Sequence, residues 1–73
     1  MTIEISDRQY WKRLNWYDGL LYLSLLNIDG KNNWRYPKSV ELSQPDMWYG
    51  IDGLIMKGFL QNEKHYVIPV RDL

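Results

Sequence analysis

From Thr2 to Ile5 polar and apolar side chains alternate, the period of a half-buried strand, and Ser6-Asp7-Arg8-Gln9 follows with the spacing of a capping box. Ile5 and Tyr10 stand where a hydrophobic staple would, so a helical turn or two is predicted after the strand. A stronger helical signal begins at Asn15, a good N-cap with Asp18 at the third helical position. Trp16, Leu20 and Leu23, and beside them Tyr17, Leu21, Leu25 and Ile28, recur at helical spacing until Gly30, the predicted stop. Apolar groups occupy so much of this circumference that packing on two sides is expected. Pro37 and Pro45 limit Ser39-Val40-Glu41-Leu42 to a short turn. Beyond Trp48, Gly50, Gly53 and Gly58 punctuate extended segments, and Leu54 to Leu60 with His65 to Val70 reads as a hairpin closed around Gln61-Asn62-Glu63-Lys64. Strand, helix, loop and hairpin in that order predict an α+β domain, one principal helix packed on a small antiparallel sheet.

At 73 residues the chain has room for one domain, 1–73, whose core must be small. It has no cysteine and a single histidine, so a disulfide staple is impossible and self-association is the expected substitute. Four Trp, six Tyr and one Phe exceed what such a core can hide, which places some of them at a subunit contact or a ligand pocket. Nine basic and nine acidic side chains cancel, against a generic nucleic-acid or membrane surface. No apolar run approaches the roughly 20 residues of a membrane span, and Met1-Thr2-Ile3-Glu4 lacks the order of a signal peptide, so a cytoplasmic protein is expected.

Trp16-Tyr17-Asp18-Gly19-Leu20, Gly30, Asn33-Trp34-Arg35-Tyr36-Pro37, Glu41-Leu42 and Tyr66-Val67-Ile68-Pro69-Val70-Arg71-Asp72 together resemble the Lcl C-terminal domain family of bacterial and phage proteins. The resemblance covers residues 16–73, with residues 1–15 as an N-terminal strand and short helix, and the stretch from Gln44 to Asn62 shorter than usual. It implies a minimal C-type-lectin-like fold, a statement about architecture and not about function. Many members carry one Cys in the helix and another in the last strand, where this chain has Leu23 and Pro69, as a reducing compartment would permit. Gly19 stands in place of the usual Ala and implies close approach of another backbone or ring. Tyr36 stands in place of the usual Leu.

No residue is predicted to be catalytic or metal-ligating, and no cofactor is expected. His65, beside the predicted hairpin turn without a Ser or Cys motif, reads as a surface residue, and Asp46 and Asp52 read as turn formers. The most site-like stretch runs from Lys31 to Val40, with cations interleaved among aromatics and no acid. Within the shared motif Trp34 reads as core and Arg35 as the partner of an acid such as Glu41. The predicted ligand-binding set is Arg35, Tyr36, Lys38, Trp48, Tyr49 and Lys57, which combines flat rings with positive charge and suits a small anionic ringed ligand such as a cyclic nucleotide. The leading expectation is a non-catalytic, homo-oligomeric, phage-type binder that sequesters a nucleotide-like signal of host defence. Two alternatives stand beside it: a protein-interaction module that inhibits or bridges a host protein, and a lectin-like carbohydrate-binding module.

Overall fold

A computed structural model describes residues 2–44, 46–52, 54–55 and 63–73, with residues 54 and 55 described by backbone alone. The chain is α+β. Strand β1 (Ile3–Ile5) leads through a 3-10 turn (Arg8–Tyr10) into β2 (Lys12–Leu14) and helix α1 (Trp16–Leu25). After a long connection come β3 (Gly50–Ile51), β4 (Leu54–Ile55), β5 (His65–Val67) and β6 (Val70–Asp72). The pairings are antiparallel: β1 with β6 (Ile3 opposite Asp72), β2 with β5 (Lys12 opposite Val67) and β3 with β4 (Gly50 opposite Ile55). Isolated bridges widen the first two ladders, since Arg35 pairs with Val70 on β6 and Tyr49 runs parallel to Tyr66 on β5.

The last strands form the spine of the molecule. Residues 67–70 are all buried, as expected of a short apolar run covered on both faces. Val67 joins one core cluster with Leu23, Trp34 and Tyr36, onto which Trp16, Tyr22 and Leu26 pack. Ile68 and Val70 join a second with Tyr49 and Ile51, bordered by Trp11, Leu42 and Met47. Leu23 and Pro69, the two positions where the resembled family carries cysteines, are both buried.

Helix α1 starts where predicted, with the Asn15 side chain accepting from the Asp18 N–H at 2.8 Å. It ends earlier than Gly30, at Leu25, with Leu26 already extended. Leu26 and Ile28 both pack against the first core cluster, and two residues that are i, i+2 apart share a face only on an extended chain. Gly30 instead serves a tight turn with Asp29, at φ of 83° and 53°, closed by reciprocal Ile28 and Lys31 hydrogen bonds of 3.0 and 2.9 Å. Two-sided packing of the helix is also corrected: only Gly19 and Leu23 are buried, while Tyr17, Leu20, Leu21 and Leu25 face outward.

Two further expectations change. The capping box at Ser6 does not form. Asp7 makes no side-chain cap bond and Ser6 is buried, its N–H donating to Pro69 O at 3.0 Å, because the β1–β6 ladder takes up this backbone. Nor do the described parts of the last predicted hairpin pair with one another. One edge of β5 is taken by β2 and the other by Tyr49, with Tyr66 N–H donating to Trp48 O at 2.9 Å, while β4 pairs back onto β3. The predicted turn residues 61 and 62 lie outside the described residues.

Candidate functional site

Of the six predicted ligand-binding residues, Arg35 is the most heavily engaged. Its Nη1 donates to Glu41 Oε1 at 2.9 Å and Tyr36 O at 3.0 Å; its Nη2 donates to Glu41 Oε2 at 2.9 Å and Asp72 Oδ1 at 2.8 Å; its Nε donates to Asp72 Oδ2 at 3.2 Å. A guanidinium has five N–H donors, and five bonds use them all. Glu41 Oε1 also accepts from the Lys38 N–H at 2.8 Å. The unit ties the loop before Pro37, the 39–41 turn and β6 together, which is the structural reading of the motif. Hydrogen bonding to Glu41 and then Asp72 raises the Arg35 pKa further, and Arg35 together with the Lys38 backbone holds Glu41 down at about 2.

Tyr36 and Tyr49 belong to different core clusters and present almost no surface. Tyr36 lies flat on Trp16 with ring centroids 4.2 Å apart, its hydroxyl 3.3 Å from Trp16 O and 3.4 Å from His65 Nε2. Burial pushes that hydroxyl's pKa well above its ordinary value. The Tyr49 hydroxyl donates to Leu42 O at 3.0 Å. Trp48 is half-buried, with an indole N–H that finds no acceptor among the described residues, and Lys38 is exposed. Lys57 lies outside the described residues. Tyr36, Tyr49 and Arg35 are therefore spent on packing and ion pairing, and no described cleft gathers the predicted set.

His65 is a correction: it is 1% exposed, not at the surface. Its strand is central, so residue 65 points inward against Tyr36 and Trp16. Backbone glycine makes room, since a Cβ on Gly50 would stand 2.7 Å from both His65 Nε2 and Tyr36 Cε1. Burial lowers the His65 pKa, only partly opposed by the Glu63 carbonyl near Nδ1. A base whose folded pKa lies below its unfolded value near 6.5 adds stability above that value. The contribution is lost as pH falls from 6.5 towards the folded pKa. The melting temperature should accordingly drop over that interval, and the ring-proton NMR signals of this sole histidine should titrate with a midpoint below 6.5. Titration at or above 6.5 would contradict the burial argument.

One cleft does open on the described surface. It has a volume of about 120 Å³ and lies between the β1 end with the 3-10 turn, the Ile28–Lys31 turn and Trp34. Glu4, Ser6, Asp7, Tyr10, Asp29 and Lys31 share its wall. Glu4 is paired with Lys31 at 3.1 Å and Arg71 at 3.4 Å, whereas no ion pair engages Asp7 or Asp29 among the described residues. The Ser6 hydroxyl is buried without a partner among them. Trp34 is held by its indole N–H donating to Lys31 O at 3.0 Å and by Arg71, whose guanidinium carbon lies 5.9 Å from the ring centroid. Lys31 and Trp34 belong to the stretch singled out in the sequence; Glu4, Ser6, Asp7 and Tyr10 carried no such signal, because only the β1–β6 pairing brings them across.

Among the described residues no cluster of acidic or histidine side chains could hold a metal ion, and no helix is long and apolar enough to cross a membrane. No family model, curated protein or solved structure matches the chain. The resemblance to the Lcl C-terminal domain family thus rests on the quoted residues alone.

Proposed function

We propose that the protein is a non-catalytic binder of a small, donor-rich ligand, a sugar or an amine, held in the cleft between β1 and the Ile28–Lys31 turn. The composition of the cleft wall carries this reading. Carboxylates accept hydrogen bonds and cannot donate them, so Asp7 and Asp29, with Glu4 already neutralised, favour hydroxyl or ammonium groups and disfavour phosphate. Tyr10 adds half-buried aromatic surface, which suits the C–H face of a sugar or the charge of an amine, while Trp34, 5% exposed, contributes only an edge to the wall. A volume of about 120 Å³ suits one small ring.

The test is amide NMR titration, with thermal shift alongside, using three arms: neutral monosaccharides, small amines including amino sugars, and nucleotides with inorganic phosphate. A sugar or amine is expected to saturate, to move the amides of residues 4–10 and 28–34, and to raise the melting temperature with ligand concentration. The double variant Asp7→Asn with Asp29→Asn should weaken binding about tenfold, or about 1.4 kcal/mol. Folding should survive, since Asn tolerates the positive φ at residue 29. Saturation by a nucleotide, with shifts centred on Lys38 and Trp48, would instead favour the anionic ligand anticipated from the sequence.

A further inference from the structure

Helix α1 shows solvent an apolar face. Tyr17, Leu21 and Leu25, at i, i+4 and i+8, form one ridge beside Leu20, and their exposures are 62%, 59%, 74% and, for Leu20, 45%. An outward helix face ordinarily carries charge of both signs. The only charged residue in this helix is Asp18, and there is no basic residue in its last turn. The four side chains expose on the order of 400 Å², about half of the ~800 Å² that each partner buries in a stable interface.

We infer that this face is covered by a second copy of the chain, the two α1 helices packing antiparallel about a two-fold axis at Leu21. Two-fold interfaces require a self-complementary patch, and this ridge is one. Tyr17 and Leu25 lie four residues to either side of Leu21, so reversal sets the larger ring of each copy against the smaller side chain of the other and Leu21 against itself. Charge selects the same direction. A parallel pair would bring the two Asp18 carboxylates side by side, whereas the antiparallel pair separates them by about 9 Å along the axis and opposes the helix dipoles. Nine acids and nine bases leave the copies without net repulsion. A lipid surface is a poorer occupant, since an interfacial helix pairs its apolar face with Lys or Arg, and α1 has neither. This inference does not depend on the cleft.

Sedimentation velocity from low micromolar to submillimolar concentration should show a species of twice the 8.9 kDa chain mass. Leu21→Glu should raise the dimer dissociation constant at least about tenfold while leaving the circular dichroism spectrum unchanged. Because the chain has no cysteine, Leu21→Cys gives a single thiol that should link two copies rapidly under mild oxidation, with Leu25→Cys alone linking far more slowly. Equal linking by both variants would overturn the antiparallel register. A monomer throughout the concentration range, a dimer indifferent to Leu21→Glu, or a monomer that partitions onto anionic vesicles would overturn the inference, and none of these would bear on ligand binding in the cleft.

Discussion

Gly19→Ala is expected to destabilise the domain by about 2 kcal/mol or more, although alanine in an ordinary helix interior stabilises by about 1 kcal/mol over glycine. The new Cβ would overlap the Tyr36 hydroxyl and stand 2.9 Å from Val67 Cγ2, both buried. Tyr36 cannot swing aside, because its ring lies flat against Trp16 and its hydroxyl is enclosed by Trp16 O and His65. Overpacking of this kind costs about 1–3 kcal/mol and occasionally more, which outweighs the gain in helix propensity. Tyr36→Leu should be destabilising on its own, since it leaves a void beside Trp16, yet it should be far less so when combined with Gly19→Ala. A double-mutant cycle by urea unfolding would read this as a favourable coupling of about 1 kcal/mol or more. Stabilisation by Gly19→Ala alone would mean that the helix does not approach Tyr36 as described.

Trp34→Ala should remove most of the folded population. Trp34 is 5% exposed, packs with Leu23, Tyr36 and Val67, and gives its indole N–H to Lys31 O. Truncating a buried tryptophan costs about 3–5 kcal/mol. A domain of this length has roughly 4–11 kcal/mol in total, so the cost approaches the whole stability. The expected observation is loss of near-ultraviolet dichroism and of a cooperative melting transition. Lys38→Ala is the control. Its side chain is exposed and makes no hydrogen bond among the described residues, its charge acting on Glu41 and Asp72 only as the last and weakest of several influences, so stability should stay within about 0.5 kcal/mol. A cooperative, nearly wild-type melt for Trp34→Ala would place that ring outside the core.

The helix start, the short first strand, the core role of Trp34 and the pairing of Arg35 with Glu41 were all legible in the sequence. The helix start and the ion pair depend on groups within about six residues of one another, since Asn15 reaches Asp18 and Arg35 reaches Glu41; the strand and Trp34 were legible from alternation and the motif, although their partners on β6, α1 and β5 were not. Gly19 was also legible as a site of close approach, though not the ring that approaches it. Tyrosine was the ambiguous letter. Its ring favours burial and its hydroxyl favours water, so composition can place it in a pocket or in the core. Tyr36 and Tyr49 were settled as core by acceptors that only the folded chain supplies, Trp16 O and Leu42 O.

Local hydrogen bonding and side-chain periodicity, which act over a turn or two of chain, determined from the sequence where α1 begins and which motif residues pair. The tertiary structure alone decided that β1 would meet β6 and β2 would meet β5, across most of the chain. Those ladders are chosen by which arrangement buries residues 67–70 together, a collective gain that no single segment records. From them follow the burial of His65, the cleft that joins Glu4 and Ser6 to Trp34, and the exposure of the outer face of α1. A periodic apolar helix states how much surface it could bury, but the number of layers available to cover it is a property of the whole fold.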